Sequence, residues 1–136
     1  MNGSSNNDFW DFFSQTSSCG KEIIAIESKA LNSSLFSIFD KRDHAEFVNT
    51  LSLIILDLQD ISNRAHLNIT DRQKAEKLKN LIHEMFNYAS SLKKVCSGLN
   101  DKSMGKPYGH TEYMNDLKSV DLYKESCSYA QAKLFQ

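Results

Sequence analysis

Apolar residues return every three or four positions along most of this chain, the spacing that lays side chains on one face of an α-helix. The clearest case lies between residues 70 and 99, where Ala75, Leu78, Ile82, Met85, Ala89, Leu92 and Cys96 recur at alternating steps of three and four. Thr70 and Gln73 predict a capping box at the start of that helix, with Asp71 in its first turn. Lys93 and Lys94 suit its negative end, and Gly98 is the predicted stop.

The preceding stretch carries the same rhythm in Phe47, Leu51, Ile54, Leu58, Ile61 and Ala65, opened by Asp43 with Glu46 three residues later. It predicts a second long helix. Residues 20–41 are less regular, because Ile23, Ile24 and Ile26 would also suit the start of a strand. Ile24, Leu31, Leu35 and Ile38 nevertheless share a helical stripe, and a helix is predicted. Downstream, Tyr113, Leu117, Val120, Cys127, Ala130 and Leu134 trace a fourth stripe, broken by Lys124 where an apolar side chain is due.

The first nineteen residues differ. An aromatic cluster, Phe9, Trp10, Phe12 and Phe13, is followed by hydroxyl residues that compete with helical backbone bonding. This predicts a short helical segment, separate from the next helix or continuous with it. The short connection "NITD" makes the second and third helices reverse and pack on each other. The prediction is an all-α, antiparallel four-helix bundle with an additional N-terminal aromatic helical segment. It forms one domain over residues 1–136, divided into the segment 1–19 and the bundle 20–136.

Composition changes this picture little. A chain of 136 residues buries a core without metal or disulfide staples. A net charge of -1 gives no general pull toward nucleic acid or an anionic membrane. The longest apolar run, Leu53 to Leu56, is far too short to span a bilayer, and the N-terminus lacks the basic and apolar regions of a signal peptide. Cys19, Cys96 and Cys127 cannot all pair within the chain, and none lies in a Cys-x-x-Cys motif. These features predict a cytoplasmic chain with reduced, packed thiols.

The stretch "SGLNDKSMGKPYGH", residues 97–110, contains Gly105-Lys106 but fails as a phosphate loop. Its glycines are spaced too widely, and Pro107 stands where a hydroxyl should bind magnesium. It predicts a connection, with Lys106, Tyr108 and His110 as a candidate small-ligand site. His83 and Glu84 begin a zinc-protease pattern whose second histidine is replaced by Asn87. No Glu-x-x-His occurs for a di-iron bundle. No metal or cofactor is therefore expected.

His83, with Lys79 one turn earlier, also suggests a phosphoryl acceptor of the kind found in four-helix phosphotransfer domains. The residues that follow it, Glu84, Met85, Phe86 and Asn87, depart from the lysine and small residues usual there.

One surface is left over. With the seam of the second helix facing inward, Val48 and Ile55 lie on its flank. Leu56 then points away from the core, and Leu53 lies about 120° from the seam, among Asn49, Asp60 and Asn63. Either the aromatic cluster folds over these leucines, or a second chain does. Phe9, Trp10, Phe12, Phe13, Leu53 and Leu56 are thus the predicted interaction surface. The expected function is non-enzymatic binding to a copy of itself or to another protein, as an adaptor, immunity, regulatory or secretion-partner protein. Histidine phosphotransfer and ligand binding by the loop are the alternatives. Membrane binding through the aromatics is disfavoured by Asp8 and Asp11 beside them.

Overall fold

The computed structural model describes residues 4–31 and 43–136, which form four helices: α1 (Ser4–Leu31), α2 (His44–Asn68), α3 (Arg72–Ser103) and α4 (His110–Leu134). The fold is an all-α four-helix bundle. Side-chain contacts fix the directions. Arg64 near the end of α2 bonds Gln15 near the start of α1, so those two helices are antiparallel. Phe135, just past α4, stacks on Trp10 of α1, which makes α4 antiparallel to α1 as well.

α3 is the shared wall, lying along both α2 and α4 and touching α1, while α1 leans mainly on α2. All seven predicted seam residues of α3 are buried. A second row is buried beside them, formed by Leu81, Tyr88 and Val95. One stripe of a helix faces one neighbour, and a helix with three neighbours needs a wider apolar face than a single stripe.

The aromatic segment is helical, but it is not separate. α1 runs unbroken from Ser4 past residue 19, the continuous one of the two expected arrangements. Its buried row is Phe9, Phe12, Thr16, Cys19, Ile23, Ile26 and Ala30, a regular three-four repeat. The predicted stripe through Ile24 is corrected, since Ile24 is half exposed; Leu35 and Ile38 lie outside the described residues. Thr16 fits the row because its hydroxyl donates to the Phe12 carbonyl at 2.8 Å, which satisfies the side chain within its own helix.

The helix ends differ in how closely they follow expectation. Asp43 caps α2, its Oδ1 accepting from the Glu46 amide at 3.0 Å. At α3 the cap is Asp71 rather than Thr70, because its carboxylate accepts from the amides of both Gln73 and Lys74. A charged acceptor at the positive helix end is favoured over a hydroxyl.

Gly98 does not stop α3, which continues to Ser103. The stop is Gly105, at φ 81°, with its amide bonded to the Lys102 carbonyl and the Lys106 amide to that of Asp101. These are the paired bonds of a Schellman ending, and glycine meets the positive φ without steric cost. The unassigned connection therefore shrinks to residues 104–109.

Gly98 serves another purpose. A Cβ at that position would sit 2.4 Å from the Tyr108 ring, so the absence of a side chain is what lets Tyr108 lie flat on α3. Gly98→Ala is expected to lower the unfolding free energy by about 1–3 kcal/mol through this clash, although alanine is the better helix former by about 1 kcal/mol. Urea denaturation checks it, and in a Tyr108→Ala background, where the ring is gone, the same Gly98→Ala substitution should cost little.

Candidate functional site

The six residues of the predicted surface separate into two groups. Phe9 and Phe12 are core residues, and Phe13 is half-buried against them. The Arg64 guanidinium lies 5.4 Å from the Phe12 ring centre and the Lys74 ammonium 5.5 Å from that of Phe9. Trp10 remains half exposed, packed edge-on against Phe9 and Phe13 and stacked with Phe135. The aromatics thus close the end of the bundle where α1 begins and α4 finishes. They do not cover Leu53 and Leu56, which stay 63% and 59% exposed.

Those two leucines belong to a longer feature. Glu46, Asn49, Leu53, Leu56, Asp60, Asn63 and Leu67 are all exposed, with Leu67 at 81%. They follow steps of three and four along the side of α2 opposite its buried seam. α2 therefore carries two seams back to back, one used inside the bundle and one open. The signal for the outer one was present in the spacing of the polar residues, which a search for apolar periodicity passes over. The only ion pair on this stripe is internal to α2 among the described residues, from Arg64 Nε to Asp60 Oδ2 at 2.9 Å.

The 98–110 candidates do not converge. Tyr108 turns inward and donates to Asp116 Oδ2 at 2.7 Å, while Lys94 approaches Asp116 Oδ1 at 3.3 Å. Asp116 is buried and its charge is met by these two groups. Lys106 and His110 point outward, on the exposed side of the connection. What the loop builds is a latch holding α4 to α3.

A second polar cluster ties α1 to α3 and also to α4, whose backbone does not approach that of α1 among the described residues. Tyr88 of α3 donates to Glu27 Oε1 of α1 at 2.6 Å, and Lys124 of α4 reaches Glu27 Oε2 at 3.1 Å. This explains the break in the α4 stripe, since Lys124 is the side chain that spans the gap to α1.

His83 is exposed on α3, in a shallow groove of about 410 Å³ with Lys79, Phe86, Gln59 and Ser62 around it. Asn87 Nδ2 lies 3.4 Å from its Nε2. The three cysteines are free. Burial pushes the Cys19 thiol up to about 11, with Asp57 and Glu22 adding to it, and the Cys96 thiol to about 12. Burial and the nearby Glu84 raise Cys127 to about 12. Such thiols are poor nucleophiles. Among the described residues no three His, Cys, Asp or Glu side chains gather as a metal site, and no helix is long and apolar enough to cross a membrane.

No protein-family model, curated protein or solved structure matches this chain.

Burial and hydrogen bonds to Glu27 and Asp116 also hold the Tyr88 and Tyr108 hydroxyls above the ordinary phenol range. The folded chain thus keeps thiol and phenol protons that the unfolded chain releases, which favours unfolding at high pH. Stability should be intact below the unfolded values, 9.0 for the thiols and 10.0 for the phenols, and fall as pH rises through them. Urea midpoints measured at about pH 8 and about pH 10.5 check this, and the second should be clearly lower.

Proposed function

We propose that this protein works by binding another protein chain along the outer seam of α2, and not by catalysis. The observation that carries this is the exposed stripe from Glu46 to Leu67, whose spacing is that of a helix-to-helix seam. Covering each exposed leucine contributes about 1–2 kcal/mol. Three leucines therefore only just offset the cost of association, at least about 4 kcal/mol. A partner must also supply hydrogen bonds to the carboxylates and amides between them, and that requirement makes the face selective. The three unpaired thiols, two of them buried, suit a reducing compartment such as the cytoplasm.

Photo-crosslinking tests the proposal in the cells that make the protein. A benzoylphenylalanine at Leu53 should give a protein adduct, and the same residue at Lys118, exposed on α4, should not. Leu56→Glu in the Leu53-labelled chain should cut the adduct at least tenfold while shifting the unfolding free energy by no more than about 0.5 kcal/mol, as expected for an exposed site. No adduct at Leu53 would overturn the assignment.

Phosphoryl transfer through His83 is the second reading, favoured by the exposure of that ring in the groove beside Lys79. Incubation with acetyl phosphate should then add one phosphoryl mass to the wild type and none to His83→Gln. An unchanged wild-type mass removes this reading.

A further inference from the structure

We infer that the occupant of the outer α2 seam is the same seam of a second copy, running antiparallel, with the two-fold axis midway between Leu53 and Leu56. This rests on the reading of that seam as the binding face. It adds the identity of the partner and the register.

The order of side chains carries the inference. Along the stripe they run Glu46, Asn49, Leu53, Leu56, Asp60, Asn63, and all six are exposed. Turned about that axis, Leu53 meets Leu56 of the second copy, Asn49 meets Asp60, and Glu46 meets Asn63. Each carboxylate faces an amide that donates to it, and each leucine faces a leucine. Asp60 suits this role, since Arg64 holds its Oδ2 from within the helix and leaves Oδ1 for the Asn49 amide. On the flank, Asp57 falls opposite Ser52, so no acid opposes an acid there either.

Other arrangements lose this match. In a parallel, in-register pair Glu46 would face Glu46 and Asp60 would face Asp60, and like charges across a seam are repulsive. Sliding the antiparallel pair by one heptad toward the end of α2 sets Leu56 against Asp60 and Leu53 against Asn63. Sliding it the other way sets Leu56 against Glu46 and Leu53 against Asn49. Either slide buries a carboxylate against a leucine without a hydrogen bond, a costly placement. A two-fold contact must be complementary to itself, and this stripe is so in one register.

Disulfide trapping tests both partner and register. A disulfide needs Cα atoms roughly 4.4–6.8 Å apart. In the inferred pair, Asn49 of one copy lies beside Asp60 of the other, while the two Asn49 residues are about 16 Å apart along the axis, from the helical rise. Asn49→Cys and Asp60→Cys chains, mixed under mild oxidation, should give a crosslinked heterodimer. Neither variant alone should exceed the wild type, whose own thiols are buried or half-buried. Both substitutions are on the exposed face, and circular dichroism confirms that the variants fold.

A dimer from Asn49→Cys alone would overturn the antiparallel register in favour of a parallel one. No crosslink in the mixture at high protein concentration would overturn self-pairing. The photo-adduct at Leu53 separates the two levels. An adduct of twice the chain mass supports the second copy; an adduct with a different protein overturns self-pairing but leaves the α2 face as the binding site. The absence of any adduct removes both.

Discussion

Everything in this bundle hangs on α3 presenting a buried arc wider than one stripe, from Ala75 and Leu78 round to Leu81, Tyr88 and Val95. It is the longest helix, at 32 residues, and it supports α2, α4 and part of α1 at once. Leu78, Leu81, Ile82, Leu92, Val95 and Cys96 are buried on more than one side of it. Each such side chain contributes about 1.5–3 kcal/mol when fully withdrawn from water. Because α3 stands between α2 and α4, those two do not meet among the described residues, and each keeps an outer side that no other described helix covers. The open seam of α2 is a direct result of this arrangement.

The joint between the first and last helices is built differently. Where α2 and α3 meet through interlocking apolar rows, α1 and α4 are tied by reaching side chains: the Glu27–Lys124 ion pair with Tyr88 beneath it, and Phe135 set against Phe13 and Trp10. Half-buried charge is tolerated because both carboxylate oxygens of Glu27 have a donor. The Tyr108–Asp116–Lys94 group follows the same logic at the other end of α4.

Much of this was legible in the sequence, and the limits were physical. The α2 and α3 seams were read residue by residue because every position in them is apolar. The α1 seam was missed because the polar Thr16 interrupts it and because Ile24 offers a competing stripe with Leu31. Gly98 looked like a helix stop because its partner, Tyr108, lies beyond the real stop at Gly105 and nothing beside Gly98 announces the close approach. Lys124 looked like a flaw in α4 because Glu27 lies 97 residues away. Leu53 and Leu56 stood out on a polar face, but the paired order of the acids and amides around them has meaning only once that face is known to be open.

The chain has a single tryptophan, and the fold puts it at the α1–α4 joint, stacked on Phe135 and half open to solvent. Its emission therefore reports on the fastening of the first helix to the last rather than on the leucine interior. A change in fluorescence can come from that corner loosening while α2 and α3 stay packed. Light from Trp10 and the helical signal of the backbone are thus two separate clocks on the same molecule.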